Sequence, residues 1–183
     1  MEILESDHFY HLYNRANGKI NIYEKEDDYL HFLQLLNKHI NPIGEVYAYC
    51  LLPNHFHFLI KIKENIENPS QAFSNLFNAY SKGFNKKYHR TGSLFQRPYK
   101  RIKITTEDYL RSLIIYIHCN PELHGIAPNF KRYTYSSYQG ILSSSPTSLM
   151  RKDVISLFHD LENFEFMHER RTEVALSDSQ LLE

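Results

Sequence analysis

The chain has 183 residues, 42% hydrophobic and 23% charged, a balance that excludes a disordered polymer and suits one folded domain with a buried core. No run of about 18 apolar residues occurs, so no membrane-spanning helix and no membrane partner are expected. Met1 to Glu5 lacks the basic-then-apolar pattern of a secretory leader, which predicts a cytoplasmic protein. The formal net charge is zero, yet residues 68–106 contain no acid and carry eight positive charges: Lys82, Lys86, Lys87, Arg90, Arg97, Lys100, Arg101 and Lys103. A solvated basic face is the ordinary reading of a charge run. A stretch of 39 residues without one carboxylate makes a local field for an anionic partner the competing one. Cys50 and Cys119 both fall in apolar segments, which predicts buried thiols rather than a disulfide.

Residues 9–15 alternate roughly and are aromatic, a first strand that Asn17-Gly18 ends. Residues 26–40 place Tyr29, Leu30, Leu33, Leu36 and Ile40 on one helical face, and residues 41–44 stop that helix. Residues 45–52 read as a second strand. Pro53-Asn54 then turns the chain directly into a third, which implies an antiparallel pair. Ser70 can cap a helix running to about Tyr88, and residues 94–104 alternate apolar and basic side chains as a fourth strand. Thr105 or Thr106 caps the next helix, which is expected to end at Asn120-Pro121 because the residue before proline avoids helical geometry. Residues 133–138 and 143–148 read as loop, 154–166 as one more helix, and the chain after about His168 as a polar tail. The order βαββαβα predicts an α+β fold, a mostly antiparallel sheet with helices packed on it, close to the ferredoxin-like pattern. Residues 1–140 would form the main domain, and residues 141–183 a helical extension and tail.

Two features carry possible chemistry. His55 and His57 stand two apart in an apolar strand, so both rings leave one side of it while Phe56, Phe58, Ile60 and Ile62 leave the other. Such a pair can share one metal ion, or can be two half-buried histidines that merely hydrogen-bond. Tyr116 and Asn120 are four apart near a helix end, one turn from each other on one face. Asn120 offers a carbonyl oxygen as a third ligand, and Tyr116 a nucleophile that a metal-polarised phosphodiester would suit. Equally, Tyr116 can be one core aromatic among fourteen tyrosines and Asn120 a helix terminator.

Taken in order, Tyr10-His11-Leu12-Tyr13-Asn14-Arg15, the run from Ala48 to Leu59, Phe84-Asn85, Gly92-Ser93-Leu94-Phe95-Gln96, Tyr99-Lys100 and Tyr116-Ile117-His118-Cys119-Asn120-Pro121 resemble the single-tyrosine transposases of the HUH endonuclease superfamily. The branch is that of REP-associated tyrosine transposases and their insertion-sequence relatives, and the resemblance covers about residues 8–140. It implies His55, His57 and Asn120 as metal ligands and Tyr116 as nucleophile. Asn120 stands where many relatives carry Gln. His118, two residues from Tyr116 on the helix, points to another face and is left out of the ligand set.

The resemblance also implies a metal-dependent transesterase, with Mg²⁺ or Mn²⁺, that nicks and rejoins single-stranded DNA beside hairpins through a 5′-phosphotyrosine. Its partner would be single-stranded or hairpin DNA, with nucleoid association when bound, as a monomer or a homodimer. Arg15, Lys86, Lys87, Arg90, Arg97, Lys100, Arg101 and Lys103 would contact DNA, and Asn14 is a further candidate. Tyr13, Tyr80 and Tyr88 are expected to pack or stack rather than attack. The alternatives are a domesticated, non-cleaving binder of structured nucleic acid, and a phosphoesterase that uses water as its nucleophile.

Overall fold

The computed structural model describes residues 3–170. Four strands form one antiparallel sheet: β1 (Phe9–Arg15), β2 (Gly44–Leu52), β3 (His55–Ile62) and β4 (Lys100–Ile104), in the order β2-β3-β1-β4. With α1 (Glu26–His39) after β1 and α2 (Pro69–Lys87) after β3, this is the ferredoxin-like topology, as the element order predicted. The pleat divides the side chains between two cores. Tyr10, Leu12, Leu51, Phe56, Phe58, Ile60 and Ile62 pack with α1 and α2. Ala48, Cys50, Leu52 and Leu59 face the opposite way, onto α3 (Glu107–Leu123). A bulge between Val46 and Ala48 turns Tyr47 toward the α3 side, although Val46 belongs to the other core.

Helix α3 is buried on nearly every side, because the chain that follows it covers its outer face. That chain comprises a 3₁₀ turn (Phe130–Arg132) and the helices α4 (Tyr138–Leu142), α5 (Arg151–Leu157) and α6 (Leu161–Glu169). Phe130, Tyr138, Ile141, Val154, Phe158 and Phe164 share one core with Leu110, Leu113, Ile114 and Ile117. The same chain also protects the outer edge of β2: Ser136 bridges Cys50, and Met150 N–H donates to the Val46 carbonyl. Cys50 and Cys119 are buried free thiols. Among the described residues no helix is long and apolar enough to cross a membrane.

Several elements differ from the sequence-based expectation. Strand β4 begins only at Lys100, because Pro98 has no N–H for a ladder, and Phe95 keeps a single bridge to Ala16. Helix α2 starts at Pro69 after Asn68, since proline suits the first helical position. Helix α3 runs through Pro121 to Leu123; Asn120 and Pro121 are buried there, and packing outweighs the local preference. Residues 133–138 form more than a loop, with the bridge at Ser136 and α4 starting at Tyr138. The single helix over 154–166 is two helices, broken at His159 (φ 72°) and restarted by Asp160, whose side chain accepts from Asn163 N–H. In one continuous helix Phe164 would stand about 80° from Val154; the break re-aims it into the same core. The expected polar tail after His168 lies largely outside the described residues.

Candidate active site

On the α3 side of the sheet, β1 and β3 bring four rings together, and α3 adds a fifth. Tyr13 lies directly opposite His57, and Arg15 opposite His55. His11 and Tyr13 alternate on β1, so both stand on the face that carries His55 and His57. The His55 and His57 ring centres are 5.3 Å apart, and Tyr13 stacks on both His11 (4.7 Å) and His57 (5.6 Å). From α3 above, Tyr116 meets the edge of His57 at 5.5 Å and of His11 at 6.3 Å. The tyrosine therefore sits beside the histidines of its own chain.

The hydrogen bonds of this cluster leave three atoms pointing to one chemistry. His55 Nδ1 lies 2.6 Å from Asn54 Oδ1, which can only accept, so Nδ1 carries the proton and Nε2 keeps its lone pair. Asn120 Nδ2 donates to the Tyr116 carbonyl at 2.8 Å, so Oδ1 is its open acceptor. His57 Nδ1 lies 2.9 Å from His11 Nε2. Of the two proton arrangements that bond allows, only the one in which His57 donates leaves Nε2 a lone pair. His55 Nε2, His57 Nε2 and Asn120 Oδ1 are all buried and have no hydrogen-bond partner. Buried acceptors left open in this way are rare; two belong to the paired histidines and the third to the helix that brings Tyr116 over them, a donor set that fits a cation.

Burial lowers the His11 pKa to about 3, and burial with the nearby His124 and Arg15 lowers that of His55 to about 4. Burial, then His11, His55, His124 and Arg15, hold His57 well below the ordinary imidazole value. The three rings are thus neutral near pH 7, the state in which imidazole binds metal. Two imidazole nitrogens and an amide oxygen fit Mn²⁺ by ligand type better than Mg²⁺, and leave room for oxygen ligands from a substrate. Among the described residues no three His, Cys, Asp or Glu side chains form a metal cluster, so an ion here would take its third protein donor from Asn120.

His118 turns away from the site, as its helical position predicted. Its Nδ1 meets His168 Nε2 at 2.9 Å and its Nε2 meets Ser137 Oγ at 2.8 Å, tying α3 to α6 and to the chain before α4. Tyr80 and Tyr88 donate their hydroxyls to the Ile22 carbonyl and to Asp28, away from the histidines. The reading of single residues missed His11 and His124. His124 follows Tyr116 and Asn120 at the same four-residue step, and its ring lies 4.8 Å from that of His55. That step was the signal for it; His11 had none until register set it diagonally across from His57.

The basic residues divide by environment. Lys86, Arg97 and Lys100 are exposed, and so is Arg15 at the end of β1. Lys87 pairs with the buried Asp28 at 2.6 Å, and Lys103 pairs with Glu5. Arg90 donates to Asn85 Oδ1, and its guanidinium lies over Phe84. Arg101 turns to the α2 side, donating to Ser70 Oγ and to the Tyr99 hydroxyl. Asn14 faces the same way and donates to the Gln96 carbonyl.

A four-stranded antiparallel ferredoxin-like sheet, with a His-x-His pair on a central strand beneath a tyrosine-bearing helix, defines an HUH-type α+β domain. The chain belongs to the family described as "Transposase IS200 like", whose model matches residues 5–120, from before β1 to Asn120 itself. It is 27% identical over 103 residues to a putative REP-associated tyrosine transposase of Haemophilus influenzae (strain ATCC 51907 / DSM 11121 / KW20 / Rd). That match covers 51% of this chain and spans 58% of the relative's length. A solved structure of a REP-associated tyrosine transposase bound to a REP hairpin shares the fold, with a TM-score of 0.66 at 16% identity. The match covers 80% of this chain and 87% of that one.

Proposed function

We propose that this protein is a metal-dependent DNA strand-transferase that nicks and rejoins single-stranded DNA beside a hairpin. The observation that carries this reading is the trio of open buried acceptors, His55 Nε2, His57 Nε2 and Asn120 Oδ1, next to Tyr116. These residues would hold Mg²⁺ or Mn²⁺, which when bound supplies charge stabilisation to a scissile phosphate. Family membership supports the class of reaction, and the solved relative's REP hairpin supports the substrate.

Tyr116, once it has lost its phenolic proton, attacks the phosphorus. The P–O3′ bond breaks, a 3′-hydroxyl leaves, and the 5′ phosphate stays on the tyrosine oxygen. Attack by a second 3′-hydroxyl then rejoins DNA and releases Tyr116, with one phosphodiester bond conserved throughout. His57 and His11 hold the Tyr116 ring, Tyr13 stacks on both histidines, and Asn120 would join the nucleophile's helix to the metal ligands. Tyr116 lies against His57 of its own chain, which favours action in cis and a monomer able to work alone. Exposed Arg15, Lys86, Arg97 and Lys100 would lead the phosphate contacts.

The test is incubation with hairpin oligonucleotides carrying single-stranded flanks, with Mn²⁺ or Mg²⁺. A covalent protein–DNA adduct is expected for the wild type and none for Tyr116→Phe. Nicking that persists in Tyr116→Phe would assign the reaction to water instead, and binding without any adduct would assign a non-cleaving role.

A further inference from the structure

On the opposite face of the sheet from the histidines, a pocket of about 540 Å³ opens between α2 and the segment from Phe95 to Arg101. Its size is that of a small-ligand site. One wall is a polar face of α2, Ser70, Ser74, Asn78 and Ser81; the other carries Phe95, Arg97 and Tyr99, with Phe77 between them. Aromatic rings, amides, hydroxyls and two guanidinium groups together suit a nucleotide: a π-face to stack, edges to hydrogen-bond and a phosphate to neutralise. Arg101 adds a specific opening. Its Nη1 donates to Ser70 and Tyr99, its guanidinium lies 4.9 Å from the Tyr99 ring centre, and its buried Nε has no partner.

Position links this pocket to the catalytic face. Strand β1 presents Tyr13 to the histidines and, one residue on, Asn14 to the pocket. A polar groove at the same end of the sheet is lined by Arg15, Lys19, Asn21, Asn54 and Gln96. Gln96 lines both groove and pocket, while Arg15 stands opposite His55 and Asn54 holds its ring. A strand engaged near His55 can therefore follow the groove past Gln96 and enter the pocket.

We infer that this pocket binds one unstacked nucleotide of the substrate strand, with Arg101 and the polar α2 face reading its base and Arg97 holding its phosphate. The inference rests on the DNA-processing reading above. A purine, guanine first, is the expected base, since arginine is the usual reader of guanine O6 and N7.

Arginine side-chain NMR of the full chain tests it with two probes, deoxyguanosine monophosphate and deoxyribose 5-phosphate. The nucleotide is expected to shift the Arg101 Nε–H resonance saturably, and the base-free sugar phosphate to leave it in place. Ser74→Leu, which fills the pocket, should abolish the shift; Asn78→Leu on the same exposed helix face serves if the first variant does not fold. In hairpin oligonucleotides, one abasic substitution in the single-stranded flank should weaken binding about tenfold or more. In Ser74→Leu that substitution should make no difference. No Arg101 response, or the same response to both probes, overturns the inference. Because these readouts do not require Tyr116, failure of adduct formation would sink the strand-transfer reading separately.

Discussion

Replacing His11 by leucine removes the partner of His57 Nδ1 while keeping an apolar side chain in a fully enclosed position. In the wild type His11 Nε2 can accept the Nδ1 proton, which keeps the Nε2 lone pair of His57 available. Without it, that buried N–H is orphaned whenever Nε2 is free to bind metal, at a cost of about 1–3 kcal/mol. Part of that cost is offset, because the same arrangement leaves the buried His11 Nδ1–H without a partner in the wild type; loss of such an outer partner typically weakens metal binding about 10–100-fold, or roughly 1.4–2.7 kcal/mol. Mn²⁺ binding near neutral pH, followed by the electron paramagnetic resonance of the free ion, should show this loss in His11→Leu. His11→Gln, whose amide oxygen accepts the same proton, should recover part of it. A folded His11→Leu protein that binds Mn²⁺ as tightly as the wild type would refute the reasoning, and with it the idea that His11 positions a ligand.

Asp28 tests a structural role for part of the basic segment. Its side chain is only 5% exposed; burial alone would raise its pKa, but Lys87, Tyr88 and the backbone N–H groups of Glu24 and Lys25 outweigh that and hold it low. A depressed carboxyl pKa contributes stability above the unfolded value, near 3.9, and loses it as pH falls through the folded one. Asp28→Asn should therefore cost about 2–3 kcal/mol at neutral pH in urea unfolding, with the gap to wild type closing in acid. On single-stranded DNA, Lys86→Ala or Lys100→Ala should each reduce the slope of log K against log salt by about 0.7. Lys103→Ala, already paired with Glu5, should change it less. Phe164, fully enclosed against Tyr138, Phe158 and His168, should cost about 3–5 kcal/mol when replaced by alanine. Removing residues 143–183 would also take Val154 and Phe158 from the core around α3. That deletion should abolish a cooperative melting transition; a truncated protein that melts like the wild type would show residues 1–142 to be self-sufficient.

The sequence by itself determined the alternation and the helical steps, because these depend only on local periodicity. His55 and His57 must share a side of their strand, and Tyr116 and Asn120 a side of their helix, whatever the rest of the chain does. The order of elements likewise carried the ferredoxin-like topology. Tertiary structure decided what no local pattern encodes. Register set His11 beside His57, so that one hydrogen bond can select the lone pair of Nε2. Packing carried α3 through Pro121 against local preference, and it held His159 in a left-handed conformation, splitting the last predicted helix at the Asp160 cap to aim Phe164 inward. The charge run of residues 68–106 also proved mixed: Lys87 and Lys103 are held by carboxylates from distant segments, while Arg101 turns to the far face of the sheet. Such pairings join residues about 30 to 100 positions apart, so they follow from how the sheet closes rather than from composition.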